Sequence, residues 1–469
     1  MDDKDVIIAR LTALVEQQQA QIRQLTQRVE QLEDQIARLK KNSSNSSKPP
    51  SSDIVAPPAP TPPRGKKRKR GGQAGHRRHQ RPPFDAAQID RIIWHALPAD
   101  EVRRLRLTPL EDYGRLQQIE LPQKPYVITE HRARRYVTST GRIITAPIPP
   151  EIRRAGLLGP RMTAFVGWLK ARGHVNYSGI AEMFGDVLGV PISRGELASR
   201  CTGMLSAALR PCYDEAVAAL RNEPVLGSDE TGHKHAGKKF WTWCLRAADF
   251  TVFRIDRSRG SQVLTDLLGD DYAGILTVDY FSANRTFADR SNAQPQYCWA
   301  HLLRDVKFLS DLGRTTLTRW AEALLKIARK LFRAWHARAD ADPPRWRRKM
   351  ERYKRALLEK LRRPPNHHEA RTLAGRFNRR GAPAYFRFLD EAGVEPTNNA
   401  TERAIRQPVL DRRVTQGTRS VRGIAWCQHA WTAAATCAQQ GRSTFGFFVD
   451  ALAAHLTNTP APSLLPANP

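Results

Sequence analysis

The sequence predicts an α/β protein with a mixed sheet in its second half, preceded by an N-terminal coiled coil. Three observations carry this. Apolar residues recur every seventh position near the N-terminus. From residue 225 onward, short apolar runs alternate with helical stretches. Between the two lie a Ser/Asn/Pro-rich segment and a dense basic tract, neither of which can build a core. At 469 residues the chain exceeds what one core usually accommodates, so several domains are expected.

The first element is the seam. Ile8, Val15, Ile22, Val29 and Ile36 fall every seventh residue, and Leu11, Gln18, Leu25, Leu32 and Leu39 interleave three residues later. Branched residues at one core position with Leu at the other favour a parallel dimer, and Gln18 can fix its register. We assign 1–41 to this dimerisation helix; the alternative is an amphipathic helix packed on its own chain. Residues 42–83 follow as a linker and basic arm. NSSNSSKPPSSDIVAPPAPTPPR is too polar to fold. RGKKRKRGGQAGHRRHQR, residues 64–81, holds nine Lys/Arg and no acid. Lys66, Lys67, Arg68, Lys69, Arg70, Arg77 and Arg78 are its candidate phosphate contacts.

Residues 84–150 read as a small module with short strands at Tyr126–His131, Arg135–Thr138 and Ile143–Ala146. Residues 151–222 read as helical. YSGIAEMFGDVLGVPISRGELASRCTGML holds a helix, a Gly-Val-Pro break and Ser193 as the N-cap of a second helix. That suits a helix-turn-helix, although any two helices with a tight turn look alike. From 223 to 423 the texture becomes α/β. VLGSD, KKFWTWCLRA and TVFRI read as strands, SQVLTDLLGD as a helix, AGILTVD as a fourth strand and QYCWAH as a fifth. A helical insertion at about 314–380 interrupts this core, and 424–469 form C-terminal helices and a tail.

Charge is unevenly distributed. The chain carries Lys+Arg 76 against Asp+Glu 46, a formal +30. The arm and the insertion together supply 24 of those 30 charges. Such concentration points to a polyanion, most simply nucleic acid. A membrane partner is disfavoured, because the cations do not lie on one amphipathic helix. The six cysteines include no C-x-x-C pair, which fits a reducing compartment. No signal peptide or bilayer-length apolar run is present, so a cytoplasmic, nucleoid-associated location is expected.

Against this cationic background three acids stand out. Asp229 closes VLGSD and Asp279 closes AGILTVD. Glu402 lies in PTNNATERAIR, where Asn398 and Asn399 can cap a helix. Carboxylates from adjacent strand ends and a helix can converge. Without a cation they would repel; with one or two divalent ions they become a platform for phosphodiester chemistry. Ordinary surface acids are the bland alternative. Glu230 and Arg406 are candidates for a supporting role. So are Cys298 and His301, which read as lying at a strand end and supply too few ligands for zinc by themselves.

NSSKPPSSD, RGKKRKRGGQAGHRRH, SDETG, FRIDRSRGSQVL, GILTVDYFSAN, CWAHLLRD, EPTNNATERAIR and GTRS occur in order along the chain. Together they resemble the transposases of the bacterial insertion sequence 66 family. The resemblance implies a ribonuclease-H-like catalytic core with an Asp-Asp-Glu triad on Asp229, Asp279 and Glu402. It implies Mg²⁺ or Mn²⁺ as cofactor and DNA as partner, both transposon ends and target, with helper proteins of the mobile element also conceivable. The family's Cys-x-x-His signature falls on Cys298 and His301. One departure is clear. Where the family carries paired Cys-x-x-Cys knuckles after the arm, this chain reads VTSTG at 137–141 and has no cysteine in 84–150. Zinc is therefore not expected, and the module should keep its strands without the metal. The implied activity is divalent-metal-dependent strand cleavage and strand transfer. A catalytically inactive or domesticated DNA-binding protein, and a structure-specific nuclease of the same fold, are the alternatives. All three acids being present weighs against the inactive form, whereas cleavage and joining look the same in sequence.

The seam yields a first test. A peptide of residues 6–40 should sediment as a dimer at roughly tens of micromolar, where short isolated helices are otherwise marginal. A monomer there would place the seam against another surface.

Overall fold

The computed structural model describes residues 3–39, 82–111 and 114–466. The basic arm, with its seven candidate phosphate contacts, lies outside the described residues. Two compact units are present, 60–132 and the remainder of the chain.

The smaller unit contains a single-turn 3₁₀ helix at Ala86–Gln88 and α2 (Ala99–Arg104). Gln117 bridges both backbone groups of Phe84, accepting from its N–H (2.6 Å) and donating to its carbonyl (3.0 Å). Tyr126–His131 is not a strand, in contrast to the sequence reading. Its residues are largely exposed, and no neighbouring strand among the described residues takes up its backbone groups.

In the larger unit α1 (Asp3–Leu39) is one continuous helix. Its apolar seam residues from Ile8 to Ile36 are exposed, from Leu32 at 44% to Leu25 at 65%. The hairpin β1 (Arg135–Val137) and β2 (Ile143–Thr145) closes through Thr138–Gly141, where Gly141 takes φ +79°. Helices α3 (Pro150–Ala155), α4 (Pro160–Ala171), α5 (Tyr177–Asp186), α6 (Arg194–Ser199) and α7 (Ser206–Ala219) follow. A π-helical turn, Arg200–Leu205, joins α6 to α7. The two expected helices and their break are present, and Ser193 accepts from Glu196 N–H (3.1 Å) as the N-cap.

The sheet contains β3 (Val225–His235), β4 (Lys238–Arg246), β5 (Thr251–Asp256), β6 (Ile275–Val278) and β7 (Gln294–Tyr297). Its order is β5-β4-β3-β6-β7. The first three strands are antiparallel, and β6 and β7 run parallel to β3. Helices α8 (Gln262–Leu268) and α9 (Ser282–Arg290) supply the crossovers that parallel pairing requires. Two sequence expectations change. Strand β3 continues through the SDETG stretch to His235 and turns only at Ala236–Gly237, because β4 pairs with it as far as Lys238. The strand in QYCWAH ends at Tyr297, and Cys298 caps α10 (Trp299–Asp311), so His301 is helical.

The insertion is built of α11 (Thr315–His336), α12 (Pro343–Arg362) and α13 (His368–Gly375), followed by α14 (Gly381–Phe386). Trp299, Tyr385, Phe386 and Phe388 are buried where these helices meet the sheet. Arg376 ties the insertion to α10 through a buried pair with Asp305 (2.8 Å). The chain then enters α15 (Asn399–Thr415), α16 (Val421–Gln439) and α17 (Thr444–Thr457). Lys170 of α4 and Asp411 of α15 pair at 2.7 Å, almost wholly buried. Removing either partner of such a pair typically costs ~3–5 kcal/mol.

Helix α16 closes the open edge of β5 with side chains. Gln428, Thr432 and Thr436 accept from the N–H groups of Ile255, Phe253 and Thr251, at 2.8, 3.0 and 3.1 Å. Thr436 also donates to Thr251 O, and Tyr213 donates to Phe253 O. The match has a geometric reason. Residues four apart on a helix rise about 6 Å, and outward N–H groups on a strand repeat every ~6.7 Å. A threonine ladder thus takes the place of a sixth strand.

That ladder can be tested in one position. Thr432→Val keeps shape and volume but leaves the Phe253 N–H buried without an acceptor, a loss of roughly 1–3 kcal/mol. Urea unfolding should show a lower midpoint for Thr432→Val, with Thr432→Ser close to wild type.

Candidate active site

The parallel register decides where the two aspartates lie. Val225, Leu226 and Gly227 of β3 pair with Ile275, Leu276 and Thr277 of β6. Two residues further along each chain come Asp229 and Asp279, at the same level and, by alternation, on the same side. Gly227 and Thr231 share that side with Asp229. Helix α15 lies against it, with Arg412 donating to Thr231 Oγ1 (3.2 Å).

Gly227 makes the close approach possible. A Cβ there would collide with the Thr401 hydroxyl and crowd Asn398 Oδ1 at 2.9 Å. Asn398 heads α15, yet its side chain does not cap the helix. It donates instead to Ser228 O (2.7 Å), stitching the helix start to β3. Glu402, in the first turn of α15, lies near enough to both aspartates to raise their carboxyls.

The electrostatics register the crowding. The Asp229 carboxyl is pushed well above its usual range, first by burial and then by Glu230, Asp279 and Glu402. Asp279 is raised by burial, against the opposing hydrogen bonds from Phe281 N–H (3.2 Å) and Asn284 Nδ2 (2.8 Å). Glu402 Oε1 is buried and has no hydrogen-bond partner. Three carboxyl groups that repel one another in this way offer hard oxygens of the kind that could hold a divalent cation such as Mg²⁺ or Mn²⁺.

Glu230 faces the other side of β3. There Arg259 binds it through Nη2 (2.7 Å) and Nε (2.9 Å). The Arg259 guanidinium lies between the rings of Trp241 (4.4 Å) and Phe281 (4.0 Å). Glu230 is raised to about 7 by burial and by Asp279, with Arg259 opposing. Trp241 and Trp243 therefore serve packing, as their residue type usually does. Arg406 is exposed one turn beyond Glu402, and no ion pair among the described residues joins it to the acids.

Cys298 and His301 sit side by side on the first turn of α10 rather than on a strand end. Cys298 Sγ accepts from Asn398 N–H (3.2 Å), and burial pushes its thiol up against the backbone amides that oppose it. His301 is lowered to about 4, by burial first and then by Arg304. Its Nδ1 lies 3.6 Å from Glu402 Oε1. Sequence reasoning missed Gly227, Arg259 and Asn284. Arg259 and Asn284 lie inside FRIDRSRGSQVL and GILTVDYFSAN, the one signal that could have marked them. The GTRS stretch has a clear role. Thr418 bridges to β3 through Lys234 O and Ala236 N–H, and its hydroxyl meets His233 Nε2 (3.1 Å) and His235 Nδ1 (3.0 Å). Gly417 at φ +97° permits this, since a Cβ would strike the Lys234 carbonyl.

The sequence profile of the Transposase IS66 family matches residues 155–425, more than half of the chain and the whole of this site. The chain belongs to the IS66 transposase family. Residues 2–82 match a further family, of unknown function (DUF6444). Among curated relatives, an uncharacterized protein, y4jD, of Sinorhizobium fredii is 24% identical over 310 residues, 60% of this chain and 59% of the relative. The match thus spans about three fifths of that relative's length. Among the described residues of this IS66-family chain, no helix is long and apolar enough to cross a membrane.

The raised aspartate predicts a pH signature for the cation-free protein. A carboxyl with a native pKa above its unfolded value binds more protons when folded, so stability falls as pH rises through that window. Asp229→Asn removes this slope. In chelator, its thermal midpoint should gain on that of wild type between pH 5 and pH 8. A constant gap would mean that Asp229 carries no such penalty.

Proposed function

We propose that this chain is a DNA transposase that binds transposon ends and carries out divalent-metal-dependent strand cleavage and strand transfer. One observation carries the reading. In a chain of the IS66 transposase family, Asp229 of β3 and Asp279 just past β6 follow the parallel register at one level, and Glu402 adds its charge to both. The sheet order, three antiparallel strands followed by two parallel ones, supports a ribonuclease-H-like core. The catalytic acids in this reading are Asp229, Asp279 and Glu402.

These three residues would hold Mg²⁺ or Mn²⁺, which supplies charge neutralisation at the phosphodiester and a more acidic attacking water. The chain's own groups prepare the site. Asn284 and the Phe281 amide hold the Asp279 carboxylate in one orientation. Arg259 pairs with Glu230 and offsets part of the repulsion that this fourth acid adds at Asp229. Gly227 and Asn398 keep Glu402 seated. In cleavage, the water oxygen bonds to phosphorus and the bond to the 3′ oxygen breaks, giving a 3′-hydroxyl and a 5′-phosphate. In transfer, that hydroxyl attacks a target phosphodiester and displaces the target's 3′ oxygen.

Affinity is assigned to cationic surfaces apart from the acids. The exposed residues of α12 include Arg345, Arg347, Arg348 and Lys349, which suit phosphate contacts together with the arm at 64–81. The seam on α1 supports a dimer or higher oligomer through a coiled coil.

Asp229→Asn, Asp279→Asn and Glu402→Gln should each abolish cleavage of terminal DNA while leaving duplex binding nearly intact. Cleavage and mobility-shift assays on the same preparations would check this. Near wild-type cleavage by any one variant in Mg²⁺ would remove that residue from the triad.

A further inference from the structure

Cys298, His301 and Glu402 form a second cluster beside the aspartates, and nothing in the reading above uses its sulfur or its imidazole. Cys298 caps α10 and His301 is three residues on, so both face the same side of the first turn. Glu402 comes from the first turn of α15. Two contacts hold these turns together: Trp299 N–H donates to Pro396 O (2.9 Å), and Asn398 N–H donates to Cys298 Sγ (3.2 Å). The sulfur, an imidazole nitrogen and a carboxylate oxygen all lie within 4.8 Å of one another.

Two of these atoms lack a hydrogen bond and have only ion-pair contacts at 3.6 Å. His301 Nδ1 and Glu402 Oε1 are both buried without a hydrogen bond, although they face each other at 3.6 Å. That gap is too long for a proton on the imidazole to close. Arg304, also 3.6 Å from Glu402 Oε1, is likewise beyond hydrogen-bonding distance. Buried polar atoms are nearly always satisfied. Two facing ones, with a sulfur beside them, are the atoms that a bound cation would satisfy.

We infer that Cys298, His301 and Glu402 form a binding site for a thiophilic divalent cation of the Zn²⁺ class. Thiolate and imidazole ligands favour such an ion over Mg²⁺. Ligands around tetrahedral zinc lie about 3.5 Å apart, so a contraction of roughly 1 Å closes this set. On binding, the Cys298 thiol releases its proton to solvent. Three protein ligands leave a fourth position open to water. The sequence offered only Cys298 and His301; the fold brings the third ligand. The bound ion ties α10 to α15 and fixes Glu402, whose second oxygen remains available to the aspartate pair. This goes beyond the transposase reading and stands on the cluster's geometry.

The test uses the full-length protein, freed of metal by chelator and titrated with Co²⁺ alone. Wild type should develop a thiolate-to-cobalt charge-transfer band, saturating near one ion per chain. Cys298→Ser should lose the band while keeping an oxygen to accept the Asn398 N–H. His301→Gln should weaken Co²⁺ binding by about tenfold or more. Asp229→Asn and Asp279→Asn should keep the band. Absence of a thiolate band in wild type overturns the inference whatever the variants do, as does a band unchanged in Cys298→Ser. Mg²⁺-dependent cleavage by a protein that shows no band would sink this inference alone and leave the reading of the three acids standing.

Discussion

The candidate site depends on how closely α15 can approach β3. The two elements touch at Gly227, where the absence of a side chain lets the Thr401 hydroxyl and the Asn398 amide reach the strand backbone. Any larger residue would lift the start of α15 and carry Glu402 away from the aspartates. The far end of the same helix is held by the Lys170–Asp411 pair and, just beyond it, by the Thr418 bridge to Lys234 and Ala236. Helix α15 is thus pinned along its length, and its one buried side-chain atom without a hydrogen bond, Glu402 Oε1, is at the pinned end nearest the acids.

The sheet tolerates this because its other side is secured independently. An open β5 edge would expose alternating N–H groups to pairing with another chain. The Gln428–Thr432–Thr436 ladder satisfies them internally, while Gln439 bonds the carbonyls of Ala247 and Ala248. A helix that donates no backbone to the sheet can still finish it. That arrangement leaves the β6–β7 end of the sheet free to receive the insertion through Tyr280, Tyr297, Tyr385 and Arg376.

Stability and function pull in opposite directions at the acids. Burial raises Asp229 and Asp279, and their neighbours add repulsion. Glu230, on the far side of the strand, has its own hydrogen-bonded counter-charge in Arg259, held between two aromatic rings, whereas Arg304 stands 3.6 Å from Glu402. Compensating Asp229 in the same way would stabilise the fold and, in the reading proposed above, take the place of the cation. The uneven distribution of partners is therefore the site's main chemical feature, and it is consistent with the positive charge being confined to helices and an arm elsewhere in the chain.

Much of this was legible in the sequence. The order of strands and helices from Val225 to Tyr297 follows from apolar runs of strand and helix length, and the α1 seam follows from a strict seven-residue repeat. The three acids stood out because two close apolar runs and the third follows an Asn pair. What the sequence did not reveal depends on contacts distant along the chain. The extension of β3 to His235 rests on pairing with β4, and the helical setting of His301 on where β7 ends. The value of Gly227 depends on Thr401, more than a hundred residues away. Sequence alone determined which groups could carry chemistry, because residue type fixes charge and donor atoms. Only tertiary structure decided which of them meet, because the β3–β6 register, the α15 contact at Gly227 and the meeting of α10 with α15 are set by packing between segments that no local pattern relates.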